Sequence, residues 1–326
     1  MIKKYFPSTI IKIIKGTRNS GFEKYAKENC AKEYKYLSRI IDMNDIYQKR
    51  LDNENKYCRY SEVRTYKDNK VEIKSDNGYI NASWIHIPTH RSFIATQGPL
   101  ESTIEDFWVM CYTYDIKIIV MLCKLDEDYK EKCANYWDTN LKNYIIQKTS
   151  ETIQLNDGLR MRKFRIIRKD NNKDNNKENK EINNNYIINN NNNIYNNNNK
   201  DIGKDIIQIH FTCWPDHSIP ESAYYKIIDI IHMVDKYKGG NPVVVHCSAG
   251  IGRTGTFISL YNLYHEITDQ INNLKIKEIR FSIMNLVRKL KEMRLYLVES
   301  ENQYTFLYQF VNLFLKQNNT LNNFNI

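Results

Sequence analysis

The chain has 326 residues, of which 41% are hydrophobic, and a formal net charge of +10. That is enough apolar material for one large domain or two small ones, and the positive balance favours an acidic partner such as a phosphate group, an acidic peptide or an anionic surface. Seven cysteines with no CxxC pair, and no secretory leader, argue against a disulfide framework or a zinc site and for a reducing, cytoplasmic setting.

In chain order, residues 1–20 read as a flexible leader. Its opening MIKKYFPSTIIKIIK is too short and interrupted to cross a bilayer, although as a basic amphipathic segment it offers weak contact with an anionic membrane surface. Patterned sequence then fills residues 21–317. Helical periodicity is clearest at 23–41, 223–236, 254–267, 281–294 and 301–314. Strand-like runs fall at 92–96, 116–122, 144–148, 161–167, 206–211 and 242–246. Between the fourth and fifth of these lies 169–204, dominated by Asn with interspersed Lys, Asp and Glu. Such a stretch cannot bury enough apolar surface to offset its ordering entropy, so it is expected to be a disordered insertion within one domain. Residues 318–326 form a tail. Interleaved strands and helices give an α/β class, a central sheet with helices on both sides.

The chemistry concentrates at residues 242–256, PVVVHCSAGIGRTGT. An apolar strand runs into a loop holding Cys247, Gly250 and Gly252, then Arg253, and a helix begins near Thr254. Backbone N–H groups of a Gly-rich turn entering a helix N-terminus converge on one spot and make an anion cradle suited to phosphate. A Cys in that cradle sees a positive field that favours its thiolate. Arg253 can fork two donors onto phosphoryl oxygens. A lone Cys at a strand end is usually an inert core residue, but here it stands among His, small residues, Gly-Arg and Thr-Gly at a strand–loop–helix junction.

The run HCSAGIGRTG resembles the signature of the protein tyrosine phosphatase family. The resemblance implies an α/β fold around a highly twisted mixed central sheet flanked by helices. It also implies hydrolysis of phosphotyrosine in proteins through a cysteinyl-phosphate intermediate. On that pattern Cys247 is the nucleophile, Arg253 holds the transferring group, His246 supports the thiolate and Thr254 helps it leave in the second step. Ser248, Ala249, Gly250, Ile251 and Gly252 line the phosphate. No cofactor or metal is required, because Arg and backbone amides supply the electrostatics.

The resemblance extends along the chain. Trp214-Pro215-Asp216 matches the family's closing lid, which makes Asp216 the general acid and Trp214 its support; Ser218 stands where Gly is usual. YCRY (57–60) is similar to the substrate-recognition loop, so Tyr60 should stack on the phosphotyrosine ring and Glu62 hold the substrate's backbone amides. Cys58 and Thr65 replace the usual Asn and Pro there. In GYINASWI (78–85) and FIATQGPLESTIEDFW (93–108), Asn81, Gln97 and Trp108 are expected to brace the catalytic loops. Glu127 should pair with Arg253, and Lys132 should approach the lid acid. In YLVESENQYTFLY (296–308), Gln303 keeps the second Gln of the pattern, whereas Glu299 replaces the Gln that orients the hydrolytic water and Tyr296 replaces a Gly, narrowing access to the pocket. A carboxylate accepts but does not donate a hydrogen bond and repels a phosphoryl group, so a slowed second step is expected.

Phosphotyrosine-containing proteins are the expected partners. A different class of reading is a phosphotyrosine-binding scaffold with slow turnover. A dual-specificity or phosphoinositide phosphatase shares the Cys-x5-Arg loop but generally lacks the Tyr60 loop. Nucleic acid is not expected, since no recognisable module is present.

Overall fold

The computed structural model describes residues 10–15, 20–43, 51–52, 54, 56–87, 91–169, 186–188, 194–196, 203–214, 223–237 and 239–322. Asp216, Ser218 and most of the Asn-rich segment fall outside them.

Strand β1 (Ile11–Ile14) and helix α1 (Ser20–Met43) open the chain. Then come β2 (Ala82–Ile85), β3 (Phe93–Thr96), α2 (Ile104–Thr113) and β4 (Ile118–Met121). A small hairpin of β5 (Asp126–Glu127) and β6 (Lys130–Glu131) precedes β7 (Tyr144–Lys148), β8 (Ile153–Asn156) and β9 (Leu159–Arg168). The short strands β10 (Tyr186–Ile188) and β11 (Ile194–Asn196) pair antiparallel within the Asn-rich segment. The chain continues through β12 (Gly203–Phe211), α3 (Ala223–Lys236), β13 (Val243–His246) and α4 (Gly252–Asn272). It ends with β14 (Glu278–Phe281), α5 (Ile283–Met293) and α6 (Glu301–Asn322).

The main sheet runs β2-β3-β13-β4-β12-β9-β7, with β8 also pairing β9. Its centre is parallel, β13 lying between β3 and β4 and β12 alongside β4, while the flanking pairs are antiparallel. Every residue of β3, β4 and β13 is buried, and a strand covered on both faces reads as an unbroken apolar run. The central strand therefore delivers Cys247 to the carboxyl end of the sheet, where open α/β sheets bind their ligands.

Helix α1 is fastened to α6 by a buried carboxylate. Glu33 accepts the hydroxyls of Tyr25 (2.5 Å), Tyr304 (2.6 Å) and Tyr308 (2.5 Å). Burial and the facing carboxylate push the Tyr304 and Tyr308 hydroxyls up, so they remain donors. Tyr34 of the same helix donates to the carbonyl of Glu299, tying α1 to the loop ahead of α6.

Three expectations are corrected. The leader is not wholly free: β1 pairs antiparallel with β14, Ile11 opposite Phe281, and buries Ile11 and Ile13, because Ile-Lys-Ile alternates with the period of a strand. The insertion is shorter than 169–204. The nine-residue ladder of β9 and β12 runs from Leu159↔Phe211 to Ile167↔Gly203, so Gly203 and Lys204 belong to the sheet, and Lys169 bonds to Asn143 and Leu141. The helix expected at 281–294 starts only after Phe281, which is in β14; Ser282 caps it by accepting the Asn285 N–H at 3.2 Å. Helix α2 had no periodic signature because Phe107, Trp108, Val109, Met110 and Cys111 are all buried, leaving no polar face to mark it.

The docked leader can be tested by Ile13→Ala. Losing a buried Ile side chain should cost about 2 kcal/mol, read as a lower urea midpoint at an unchanged slope; an unchanged midpoint would mean that β1 does not hold in solution.

Candidate active site

Cys247 follows β13 and is buried, and the loop 248–251 leads directly into α4. Gly250 adopts φ +70, and a Cβ there would lie 2.1 Å from the Thr96 carbonyl oxygen, so both the backbone hand and the close approach require glycine.

A loop that turns its N–H groups toward an anion must send its carbonyls outward, and each one is met by a donor. His246 Nδ1 lies 3.1 Å from the Cys247 carbonyl, and the Gly98 N–H reaches that of Ser248 at 2.8 Å. Arg294 donates to the carbonyls of Ala249 (NH2, 3.2 Å) and Gly250 (Nε, 2.9 Å). The N–H groups of Gly255 and Val298 serve Ile251, and Thr256 Oγ1 serves Gly252 at 2.9 Å.

Arg294 is the main residue that sequence reasoning missed. It is fully buried and also donates to Asn81 Oδ1 (2.7 Å) and Ser83 Oγ (3.1 Å). Burial lowers it to about 10, which still leaves it charged at neutral pH. In sequence it is one more basic residue closing an amphipathic helix, and nothing nearby marks it.

Arg253 is buried beside Cys247, and its NH1 and NH2 bond the two carboxylate oxygens of Glu127 at 2.7 and 3.0 Å. NH1 also reaches the Trp214 carbonyl at 3.0 Å. Burial pulls the guanidinium down, but Cys247 and Glu127 more than offset this and hold it above its ordinary value. The expected Glu127 pairing is therefore present, and it fixes the plane of the guanidinium. Trp214 is buried against Phe211 and Phe306. Lys132 follows β6, with its backbone N–H on the Leu125 carbonyl at 2.7 Å, but Asp216, which it was expected to approach, lies outside the described residues.

Thr254 Oγ1 donates to Cys247 Sγ at 3.3 Å. The His246 ring meets Cys247 at that residue's backbone carbonyl through Nδ1, and its Nε2 is 3.0 Å from the Tyr136 hydroxyl. Tyr60 reaches the cradle, its hydroxyl 3.0 Å from Ser248 Oγ. Arg59 pins that loop by donating to Gly98 O (3.0 Å) and Pro99 O (2.6 Å) and pairing with Glu131 (2.9 Å). Gln97 adds two bonds, accepting the Arg59 N–H and donating to the Tyr57 carbonyl, both at 2.8 Å. Trp108 Nε1 donates to the Tyr136 carbonyl at 2.7 Å. Asn81 and Gln97 thus brace the loops as expected, and Asn81 Nδ2 also reaches the sulfur of Cys58 at 3.0 Å. Glu62 is exposed on the outer side of this loop.

Ser300 and Gln303 form a capping box at the start of α6. Ser300 Oγ accepts the Gln303 N–H, and Gln303 Oε1 accepts the N–H groups of Ser300 (3.2 Å) and Glu299 (3.0 Å). This packs both side chains against the loop: a Cβ on Gly252 would lie 2.8 Å from Gln303 Nε2 and 2.9 Å from Glu299 Oε2. Tyr296 sits at φ 64 and packs against Leu51, Tyr66 and Leu295, and Val298 sits at φ 60. Left-handed backbone at a bulky and a β-branched residue costs about 1–2 kcal/mol each, and it brings the Val298 N–H to Ile251.

Among the described residues no group of three or more His, Cys, Asp or Glu could hold a metal ion, and no helix is long and apolar enough to cross a membrane. The family model described as protein-tyrosine phosphatase matches residues 54–312. The chain is 30% identical over 301 residues to rat tyrosine-protein phosphatase non-receptor type 20, covering 89% of this chain and 62% of that protein. It is 34% identical over 288 residues to Drosophila melanogaster tyrosine-protein phosphatase 69D, covering 85% of this chain and 18% of that one. The chain therefore spans less than two thirds of these curated relatives. A solved structure of PTPN18 superposes with TM-score 0.72 at 22% identity, covering 92% of this chain and 99% of that chain, a likeness in fold. With a family model spanning most of its length and a Cys247–Arg253 cradle at the carboxyl end of a mixed sheet, the chain belongs to the protein-tyrosine phosphatase family.

Proposed function

We propose that this chain hydrolyses phosphotyrosine in proteins in two steps through a cysteinyl-phosphate. The observation that carries the reading is a buried Cys247 in a loop whose carbonyls are all tied back, beside an Arg253 clamped by Glu127. In the first step Cys247 Sγ attacks phosphorus, the tyrosine O–P bond breaks and Asp216 protonates the leaving phenolate. Arg253 and the loop N–H groups stabilise the charge spread over the equatorial oxygens. In the second step water attacks phosphorus, its proton goes to Asp216, and the S–P bond breaks. The Thr254 hydroxyl, already 3.3 Å from Sγ, donates to the departing thiolate.

Tyr60 forms the wall that suits the long phosphotyrosine side chain, and Glu62 holds the peptide backbone. A structure of PTPN18 is described in complex with HER2 phosphopeptides, and the same substrate class is proposed here. Seven free cysteines suit a reducing compartment, and cytoplasmic signalling is the setting proposed.

A slow-turnover variant of this reading is favoured by one observation, the carboxylate of Glu299 beside Gly252. A carboxylate there repels the phosphoryl group carried by Cys247 and has no hydrogen-bond donor to offer the incoming water.

Cys247→Ser should abolish turnover of a phosphotyrosine peptide while retaining its binding by calorimetry; residual wild-type turnover would remove Cys247 as the nucleophile. Asp216→Ala should lower kcat about 10²–10⁴-fold for an aryl phosphate with a poor leaving group, and an unchanged rate would remove its acid role. Rapid-mixing kinetics on the wild type should give a burst followed by slow turnover, and Glu299→Gln should raise the slow phase. Fast steady turnover without a burst, and no gain in Glu299→Gln, would contradict the slowed second step.

A further inference from the structure

Behind the nucleophile lies a chain of four side chains, each at most 9% exposed: Arg162, Gln208, Tyr136 and His246. Arg162 NH1 donates to Gln208 Oε1 at 2.7 Å, with its guanidinium 4.5 Å from the Trp137 ring centroid. Gln208 Nε2 donates to the Tyr136 hydroxyl at 2.6 Å. That hydroxyl is 3.0 Å from His246 Nε2, and His246 Nδ1 is 3.1 Å from the Cys247 carbonyl oxygen.

The direction of every bond follows from its first member. A guanidinium has donors only, so the Gln208 carbonyl oxygen must face it and the amide nitrogen must face Tyr136. The Tyr136 oxygen then accepts from Gln208, which leaves its single proton for His246 Nε2; the other acceptor in reach, Met121 Sδ, is 3.9 Å away. With Nε2 used as an acceptor, the neutral imidazole carries its proton on Nδ1, facing the Cys247 carbonyl. Arg162 NH1 also donates to His210 Nδ1 at 3.1 Å, whose Nε2–H reaches the Cys123 carbonyl at 2.7 Å, so this branch offers Gln208 no competing donor. Burial takes His210 down to about 3, which keeps that ring neutral.

We infer that Arg162 and Gln208 are positioning residues for the nucleophile: they set the tautomer of His246 and thereby the orientation of the Cys247–Ser248 peptide. The carbonyl of Cys247 and the N–H of Ser248 belong to one planar unit. A donor at Nδ1 holds the carbonyl outward and so aims the Ser248 N–H into the phosphate cradle. Were Nε2 the protonated nitrogen, a lone pair and a carbonyl oxygen would face each other at 3.1 Å, and the peptide would turn, taking its N–H away from the anion. The consequence for turnover rests on the function proposed above, whereas the tautomer itself does not.

The test is the direction of the chain. Gln208→His keeps one acceptor for Arg162 and one donor for Tyr136. Gln208→Glu keeps the Arg162 bond but offers Tyr136 a second acceptor, so the Tyr136 proton turns away from His246. Nitrogen NMR of ¹⁵N-labelled imidazoles should show His246 protonated at Nδ1 in the wild type and in Gln208→His, and at Nε2 in Gln208→Glu. The Glu variant should also lose on the order of tenfold in kcat, the lower end of the loss when the hydrogen-bond partner of a metal-ligating His is removed, with weaker inhibition by inorganic phosphate and an unchanged melting temperature. Gln208→His should retain most of the activity. A wild-type His246 protonated at Nε2 overturns the inference, as does a Gln208→Glu protein with the original tautomer and kcat, or a Gln208→His protein as impaired as the Glu variant. If Gln208→Glu does not fold, the wild-type and Gln208→His tautomers decide. An Nδ1-protonated His246 in a chain inactive on phosphotyrosine would leave this inference standing and remove the proposed function instead.

Discussion

A loop whose amide N–H groups converge on an anion has to turn its carbonyls the other way, and in a buried loop each of those carbonyls needs a donor. Much of the architecture around Cys247 answers that requirement. The strand before the loop provides His246, the helix after it provides Gly255 and Thr256, and the segment after β3 provides Gly98. The region between α5 and α6 provides Arg294 and Val298. Elements far apart in sequence therefore meet at one turn, where their donors surround six consecutive carbonyls, from Cys247 to Gly252.

The same arrangement makes the cradle electropositive. Two guanidiniums are buried under it, and they are held differently. Arg253 faces the site and is fixed by the carboxylate of Glu127, whereas Arg294 lies behind the loop and bonds carbonyl, amide and hydroxyl oxygens. A buried charge is tolerated when its donors are satisfied, and Arg294 has four such oxygens. The left-handed backbone at Tyr296 and Val298 belongs to this account. It costs stability locally, and it places Leu297 and Val298 against Gly255, where a Cβ would come within 2.5 Å of the Val298 nitrogen.

Residues that announce themselves by chemistry in a short window were legible in the sequence. Cys247, Gly250 and Arg253 share one turn, and their joint meaning needs no tertiary information. Glu127 and Tyr60 were legible through resemblance to a family; Glu127 pairs with Arg253 as expected, and Tyr60 lies with its hydroxyl 3.0 Å from Ser248 Oγ at the cradle. Arg294, Gln208 and Arg162 were not, because their roles arise from strands and helices meeting across the sheet. The fold followed the same division. The unbroken apolar run of β13 was plain, whereas α2, apolar nearly all round, had no period to betray it. Strand β1 was hidden by its brevity and by Lys12 on its exposed face, and Gly203 and Lys204 by the polar composition of the segment they close.

The central claim is that phosphate passes through the sulfur of Cys247. Rapid quenching of the wild-type chain in acid during turnover of a phosphotyrosine peptide, followed by mass spectrometry of the digest, tests this most directly. The account predicts a phosphoryl group on the peptide containing Cys247, formed and lost at rates compatible with turnover. Sustained phosphate release with no phosphorylated cysteine at any quench time, or with the label on another residue, would contradict it.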